Sequence, residues 1–188
     1  FRSIYDGIGE LLIEDNPELL TITNISKRSG YSIGNIYHHF KNVDDVIDRF
    51  VSDRVAKRTA AMVDFIENAP STQNAYEFCK SFNDKNFHMM RTKLPKAMFL
   101  LLARNVLTKP KIIEKINEFN LSLVDPIEAM IKRNETDTFK RLTHQEIELA
   151  ILMSANAARV ALVLNHKLVL TQSHQDMTLA IFLALFTK

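Results

Sequence analysis

Residues 22–48 read ITNISKRSGYSIGNIYHHFKNVDDVID, and the hydroxyls, glycine and acids in this stretch divide it into three helical pieces. Thr21 can accept a hydrogen bond from the free N–H groups that open one helix, and Gly30 permits the left-handed backbone that ends it. Ser32 can cap a second helix over residues 33–40. Two acids follow in the first turn of a third helix, where the helix dipole favours them. The stretch therefore predicts two short helices joined by a glycine turn, which is the helix-turn-helix arrangement.

The second predicted helix has an apolar side and a polar side at the helical period. Ile33, Ile36 and Phe40 recur on one side and are predicted to face a core. On the other side, Asn35 offers an amide that can pair with adenine, and Gly34 lets the backbone approach a phosphate. A solvated polar face is the alternative interpretation, and the pattern alone leaves both open.

Residues 30–47, GYSIGNIYHHFKNVDDVI, resemble the recognition-helix signature of the TetR (tetracycline-repressor-like) family of bacterial transcriptional regulators. The shared features are glycine, a hydrophobic residue, serine, glycine, an aliphatic–Tyr pair and His-Phe before a turn with lysine. Residues 22–30 resemble the family's preceding helix, and residues 4–14 stand where its first helix is expected. The resemblance covers roughly the first quarter of the chain and implies a ligand-responsive repressor that binds a palindromic double-stranded DNA operator as a homodimer.

The resemblance also implies which residues contact DNA. With Gly34 as the position of close backbone approach, the predicted contact residues are Thr23, Ser32, Ile33, Gly34, Asn35, Tyr37, His38 and Lys41. Two positions depart from the family pattern. Val43 stands where the family commonly has a lysine that reaches a phosphate, although Lys41 could reach a similar one, and Ser26 replaces a usual alanine.

Glycine usage decides the fold class of the remaining chain. The 188 residues contain four glycines, and none follows Gly34. Sheet proteins need glycine at hairpins and bulges. The long glycine-free stretch from residue 35 to residue 188 therefore predicts helices joined by short polar or proline turns. We expect an all-α protein of about nine helices, with a three-helix DNA-binding domain over residues 1–47 and a ligand-binding and dimerisation domain over residues 48–188.

The helix limits are predicted from caps, prolines and apolar periodicity. Pro126 is expected to kink or split the helix in which it falls, near Asp125. Thr143-His-Gln-Glu146 is a capping box, and Ser173-His-Gln-Asp176 is a weaker one. Beyond the helix-turn-helix, the predicted helices cover residues 3–14, 43–67, 72–92, 95–107, 110–133, 144–167 and 174–186.

The charge balance places limits on the kind of nucleic-acid contact. The formal net charge is +2, and residues 1–58 hold eight basic and nine acidic residues. A strong nonspecific nucleic-acid binder would be more basic. The positive residues Lys27, Arg28 and Lys41 nevertheless group around the predicted recognition helix, which is compatible with local phosphate contacts.

The single cysteine, Cys79, excludes an intramolecular disulfide and is typical of a cytoplasmic protein. It lies in a helical apolar pattern, so we expect a buried core residue. The richest apolar stretch, residues 147–164, is interrupted by Glu148, Asn156 and Arg159, which argues against a membrane span.

The last two predicted helices are apolar nearly all round, which indicates one face toward the chain's own core and another toward a second subunit. We therefore predict a two-fold dimer with a four-helix bundle at its interface. A monomer with an unusually central helical hairpin is the alternative. The small residues expected at the interface are Ala150, Ser154, Ala157, Ala158, Ala161, Ala180 and Ala184.

Methionine and phenylalanine are frequent in the middle of the chain, where they are usually core residues but together could line an adaptable cavity. The resemblance implies a small-molecule effector there, which we expect to be mostly apolar. The candidate effector-binding residues are Met62, Phe82, Met89, Met98, Phe99 and Phe119.

No motif indicates an enzyme, a metal site or a cofactor. None of the six histidines has zinc-finger or HExxH spacing, and the chain has no glycine-rich phosphate loop and no GxSxG elbow. The remaining alternative to a regulator is an all-α small-molecule-binding protein or adaptor whose helix-turn-helix is only structural.

Overall fold

A computed structural model describes residues 2–14, 16–91, 110–163 and 167–188. These residues form nine α-helices and one turn of 3-10 helix, and they contain an isolated antiparallel bridge between Phe139 and Thr187 but no strand. The all-α prediction is confirmed, while the helix predicted over residues 95–107 lies outside the described residues. The helices are α1 (Arg2–Ile13), α2 (Ile22–Ser29), α3 (Ile33–His39), α4 (Val43–Glu67), α5 (Ala75–Arg91), α6 (Pro110–Leu121), α7 (Val124–Arg133), α8 (His144–Val163) and α9 (Gln172–Phe186).

Side-chain caps set the limits of α2, α3 and α4, as the sequence predicts for the first two. Thr21, Ser32 and Asn42 each accept a hydrogen bond from the backbone N–H three residues later, at 3.2, 3.2 and 2.9 Å. Gly30 ends α2 with φ at 74°, in the left-handed region. Because each cap supplies a partner to an otherwise free N–H group, these short helices begin where the sequence places them.

The head of the molecule, α1 to α3 with the first half of α4, packs around one apolar core. Ile36 and Phe40 are buried in it, as predicted. Gly7 lets α1 approach α2 closely, since a Cβ there would lie 3.2 Å from the Cβ of Arg28. Ile33 was predicted to face this core, but 42% of its surface is exposed. The prediction was wrong because Ile33 opens α3 and only later residues of the helix reach the core.

A second apolar core occupies the larger part of the chain. It contains side chains of α4, α5, α7, α8 and α9, and Phe119 of α6 packs against it. Cys79 is buried there, and burial raises the pKa of its thiol to about 12. Among the described residues, no helix has the combined length and apolarity needed to cross a bilayer.

The helix α4 takes part in both cores. Val46 and Phe50 are buried in the head core, whereas Met62 and Ile66 are buried in the second core. One unbroken helix of 25 residues therefore connects the two. The domain limits at residues 1–47 and 48–188 stay a prediction.

The predicted helix over residues 110–133 is split, but earlier than expected. The break falls at Ser122 and Leu123, and Pro126 is the third residue of the next helix, α7. Proline is tolerated there because the first turn of a helix needs no backbone donor.

One of the two predicted caps near the C-terminus is confirmed. The N–H of Thr143 donates to Glu146 Oε2 at 2.7 Å, and the N–H of Glu146 donates to Thr143 Oγ1 at 3.3 Å. The cap predicted at Ser173 was wrong. Thr171 caps α9 instead, so the helix begins at Gln172.

The contact between α7 and α8 is expected to depend on pH. His144 Nδ1 lies 2.8 Å from Glu128 Oε2, and this hydrogen bond raises the pKa of His144. Because the pKa of His144 is higher in the folded state than in the unfolded state, protonated His144 contributes to the free energy of unfolding at low pH. This contribution is lost as pH rises through the pKa of folded His144. Lys132 first, and then His144, lower the pKa of Glu128, so the Glu128 contribution is present above the ordinary carboxyl pKa and is lost in acid.

We therefore expect His144→Gln to lower the free energy of unfolding more at about pH 5.5 than at about pH 8.5. Urea denaturation at the two pH values measures this difference. His88→Gln, which changes an exposed histidine of α5, is the control. Equal destabilisation by His144→Gln at both pH values would show that the ionised contact contributes nothing.

Candidate functional site

The exposed surface of α3 and its flanks is the candidate nucleic-acid interface. Ile36 and Phe40 anchor the inner side of α3, so the remaining side chains of the helix point outward. Tyr37 keeps 54% of its surface exposed, so its ring and hydroxyl are accessible to a partner. All the residues predicted to contact DNA are exposed, namely Thr23, Ser32, Ile33, Gly34, Asn35, Tyr37, His38 and Lys41. Their contact with DNA stays a prediction.

Hydrogen bonds fix the turn that precedes α3. The hydroxyl of Ser26 donates to the carbonyl oxygen of Tyr31 at 2.6 Å. The N–H of Tyr31 donates to Ser29 Oγ at 3.3 Å, and the N–H of Gly30 donates to the carbonyl of Ser26 at 3.0 Å. Ser26 therefore ties the two ends of the turn together, a role that an alanine at this position could not fill. The turn holds α3 in a set orientation relative to α2.

The positive residues near α3 do not all remain available for phosphate. Arg28 forms ion pairs with Glu10 of α1, at 3.4 Å, and with Glu14, which directly follows α1. The Arg28 side chain is 43% exposed, and the exposed side chains of Lys27 and Lys41 form no ion pair with the described residues, so Arg28 alone of the three is paired with acids of the head. Of the three cations in the predicted patch, the two lysines are therefore the ones without a competing acid among the described residues.

The start of α4 carries Val43 where the TetR family, which the sequence resembles, commonly has a lysine. Val43 packs against the head core, so this position supplies no cation. The N–H of Lys41 donates to Asp45 Oδ2 at 3.0 Å, and Arg49 Nε donates to Asp45 Oδ1 at 3.1 Å. These bonds lower the pKa of Asp45, with the Lys41 N–H as the largest cause. They fix the backbone of Lys41 directly after α3.

The candidate effector residues that the structure describes belong to the second core. Met62 and Phe82 are buried in it, while Met89 and Phe119 are partly buried against it. Met98 and Phe99 lie outside the described residues. The structure therefore brings four of the six predicted residues to one core, and their contact with an effector stays a prediction.

Two arginines on the inner side of α4 were not identified from the sequence. Arg58 donates to Asn86 Oδ1 of α5, and its guanidinium carbon lies 4.8 Å from the ring centre of Phe119. Burial lowers the pKa of Arg58 to about 10, so it remains charged at neutral pH. The Arg54 guanidinium lies over the Phe50 ring, and its Nε is buried without a hydrogen-bond partner. Their four-residue spacing from Phe50 and Met62 is the signal that could have placed them inside.

An apolar face of α8 and α9 is exposed in the single chain. Leu149, Met153 and Met177 have 58%, 53% and 60% of their surfaces exposed. Three of the small residues predicted for the dimer interface are also exposed on these helices: Ala157, Ala180 and Ala184.

Two other residues predicted for that interface face inward. Ala150 is 4% exposed and Ser154 is 2% exposed, and the Ser154 hydroxyl donates to the carbonyl of Ala150 at 2.8 Å. They were misplaced because a helix that is apolar all round gives no sign of which stripe meets its own core. The side chains of Ala158 and Ala161 lie outside the described part of the chain.

A group of three metal-ligand side chains occurs where α7 meets α8. These are Asp125, Glu128 and His144, and one carboxylate oxygen or ring nitrogen of each lies within 4.8 Å of those of the other two. Glu128 is hydrogen-bonded to His144 and lies 2.5 Å from Lys132 Nζ. These contacts account for the proximity of the three side chains.

Neither a protein-family model nor a curated protein sequence matches the chain. Solved structures match it over nearly its whole length. FadR from Bacillus subtilis, a transcriptional regulator solved in complex with stearoyl-CoA, has a TM-score of 0.67 and 19% identity, and the match covers 96% of each chain. SmeT, the repressor of the Stenotrophomonas maltophilia multidrug efflux pump SmeDEF, has a TM-score of 0.70 and 16% identity, with 100% of this chain and 90% of SmeT covered.

A third matching structure is described as a TetR-family regulator. A Mesorhizobium loti protein assigned to the TetR family of transcriptional regulators has a TM-score of 0.71 and 13% identity, and the match covers 100% of this chain and 96% of that protein. At these identities the likeness shows the fold. The chain has the fold of these regulators, with a helix-turn-helix followed by a larger helical domain.

Two glycines of the helix-turn-helix are expected to respond in opposite ways to alanine. Gly30→Ala should lower the free energy of unfolding by about 1 kcal/mol, because φ at Gly30 is 74° and an L side chain is strained there. Gly34→Ala should raise it by up to about 1 kcal/mol, since the added Cβ meets nothing within 4 Å and alanine is the better helix former. Urea denaturation followed by circular dichroism measures both values, and equal effects would contradict the assigned backbone conformations.

Proposed function

We propose that this chain is a ligand-responsive transcriptional repressor of the TetR type, acting in the cytoplasm. It binds a palindromic DNA operator as a homodimer and leaves the operator when a small effector binds. The observation that carries this proposal is the exposed polar face of α3. The hydrogen-bonded turn between α2 and α3 fixes this face on the head, and α4 connects the head to the second core. No catalytic role is part of the proposal.

The α3 surface supplies groups that suit major-groove contact. Asn35 can pair with adenine, and Tyr37 and His38 can donate or accept hydrogen bonds at base edges or phosphates. Gly34 adds no side chain where the backbone would approach the duplex. Because acids and bases nearly balance in the head, base contacts rather than general charge attraction would supply most of the discrimination.

The exposed apolar face of α8 and α9 supports the dimer. Exposed large apolar residues that cluster on adjacent helices mark association surfaces. A two-fold axis through this face would pair two copies of α8 and α9 in a four-helix bundle. It would also present two α3 helices, as a palindromic operator with half-sites one helical turn apart requires.

The contacts of α4 support a route from effector to operator. Met62 of α4 belongs to the second core, while the Lys115 ammonium of α6 donates to the carbonyl of Asp48, at 3.2 Å, and to the hydroxyl of Ser52. An effector that binds more tightly to one position of α4 would increase the population of molecules with that position. If the two heads are then wrongly spaced for the operator, its affinity falls. Because the structurally similar FadR was solved with stearoyl-CoA, long-chain acyl compounds are the first effector class to test.

The alternative is a small-molecule-binding protein whose helix-turn-helix is only structural. The near-neutral head and Val43, which packs against the head core, favour this alternative. Sequence-specific DNA binding separates the two functions.

DNA binding is tested with a duplex that the wild-type protein selects from a random library. We expect Tyr37→Ala and His38→Ala each to lower its affinity about fivefold or more, since each removes a base or phosphate contact. Fluorescence anisotropy at fixed salt measures the affinities. Gly34→Ala should also weaken binding while the fold becomes more stable, so that its effect cannot result from unfolding.

His88→Ala serves as the control for these variants because it changes an exposed histidine of α5, outside the head. Its affinity should equal that of the wild type. If no duplex is selected, or if all the α3 variants bind like the wild type, the helix-turn-helix is structural and the alternative function stands.

The dimer is tested by placing a charge on the exposed apolar face. Met153→Glu and Ala180→Glu are expected to convert the dimer to a monomer, because a carboxylate buried at an interface without a partner is costly. Light scattering after size exclusion measures the mass. Tyr76→Glu, at an exposed aromatic residue of α5, is the matched control and should remain dimeric. A wild-type monomer, or unchanged dimers in both variants, would contradict the proposed interface.

A further inference from the structure

A lysine of α6 holds the first half of α4 by hydrogen bonds. Lys115 Nζ donates to the carbonyl oxygen of Asp48 at 3.2 Å and to the hydroxyl of Ser52. The Ser52 hydroxyl in turn donates to the same carbonyl oxygen at 2.6 Å. The ammonium, the hydroxyl and the carbonyl therefore form a closed cluster, which we call the α6 clasp.

The oxygen atoms that accept from Lys115 in the α6 clasp are neutral. Among the residues that the structure describes, no acid forms an ion pair with this lysine. A charged donor strengthens a hydrogen bond to a neutral oxygen, and a part-buried position strengthens it further. The lysine therefore fixes α4 at one place relative to α6, rather than balancing a nearby carboxylate.

The α6 clasp acts at the head end of α4. Ile47 and Val51, which alternate with the clasp residues along the helix, are buried in the head core. Met62, which α4 buries in the second core, follows Ser52 by ten residues, or about 15 Å along a helix. The clasp thus holds α4 well before the point at which the second core does.

The side chains next to Lys115 give α6 contacts with both cores. Ile116 packs against the head core and Phe119 packs against the second core. Apolar contacts are not directional, so they hold two surfaces together without defining one relative position. Hydrogen bonds depend on distance and angle. Of the contacts that α6 makes with the head end of α4, the clasp is therefore the one that specifies a position.

We propose that Lys115 is a positioning residue for operator binding. The α6 clasp holds α4, and with it α3, in the position that places both reading heads on the operator. The inference rests on the proposed function, and it assigns to one contact the control of head position. When the clasp is open, α4 takes several positions, and operator affinity falls in proportion to the fraction of dimers that still fit. An effector that favours the open clasp would release the operator in the same way.

The first test measures operator affinity of Lys115→Met, which keeps the aliphatic stem and loses the donors. Without effector, we expect its affinity for the selected duplex to be about tenfold lower than that of the wild type, as when one dimer in about ten fits. Fluorescence anisotropy at temperatures far below unfolding measures the affinities. Wild-type affinity in Lys115→Met would overturn the proposal.

The salt dependence of binding separates a positioning role from a phosphate contact. Lys115→Met should keep the wild-type slope of log affinity against log salt, because Lys115 bonds to α4 and not to DNA. Lys41→Met, at a predicted contact residue, should reduce the magnitude of this slope by about one. An equal reduction in Lys115→Met would show that Lys115 contacts phosphate, and the positioning role would be wrong.

Arg133→Met is the matched control for loss of stability. Arg133 donates to the carbonyls of Ile66 and Glu67 at 2.8 and 2.7 Å, so it is also a cation on backbone oxygens of α4, but at the other end of the helix. We expect a lower melting temperature and wild-type operator affinity. If Arg133→Met weakens operator binding as much as Lys115→Met does, general destabilisation explains both and the proposal fails.

Ser52→Ala tests whether the lysine and the serine act as one unit. Each substitution alone opens the clasp, so the double variant should bind the duplex about as weakly as Lys115→Met alone. Losses that multiply in the double variant would show two independent effects and would contradict the clasp.

A distance measurement without DNA keeps this inference separate from the proposed function. Spin labels are placed at Asp6→Cys on α1 and Tyr76→Cys on α5, both of which are exposed positions. Cys79 stays unlabelled because it is buried and its thiol has a pKa of about 12. Double electron–electron resonance is recorded on labelled chains diluted with unlabelled protein.

We expect a narrow distribution of distances between head and larger domain in the wild type and a broader one in Lys115→Met. Equal widths would overturn the inference whatever the result with DNA. If the wild type selects no duplex but Lys115→Met broadens the distribution, the clasp stands as the determinant of head position and the regulator proposal fails.

Discussion

The continuity of α4 is the constraint on which the rest of the structure depends. The helix buries Val46 and Phe50 in one core and Met62 and Ile66 in the other, with no break between them. A helix transmits displacement because its backbone hydrogen bonds resist bending, whereas a loop would absorb the same displacement. The orientation of α3 is therefore tied to the packing of the second core. The helix α6 adds a second connection, since Ile116 packs against the head core and Phe119 packs against the second core.

Local chemistry explains why much of the head could be predicted from the sequence. Thr21, Ser32 and Gly30 act on backbone groups within three or four residues, so their effect does not depend on the rest of the fold. The absence of glycine after Gly34 likewise predicted the all-α class, which the structure confirms. The split near Pro126 was predicted, but its place was set by the end of the preceding helix.

Features that depend on distant partners could not be predicted in the same way. Arg28 was expected in a positive patch, but Glu10 lies on α1 and Glu14 directly follows α1, so only the fold brings these acids to Arg28. Ala150 and Ser154 turned inward because α8 is apolar on all sides and its sequence does not distinguish its two apolar faces. Of the candidate site, the exposed face of α3 follows from the local pattern. The contacts of Arg58 with Asn86 and Phe119 depend instead on how α5 and α6 pack around α4.

The charge balance of the head bears on how the proposed operator contacts would be reversed. Because Glu10 and Glu14 compete with phosphate for Arg28, operator affinity would depend on a limited set of contacts by α3, Lys27 and Lys41. A modest operator affinity can be reversed by a modest coupling free energy, typically about 1–3 kcal/mol between two sites.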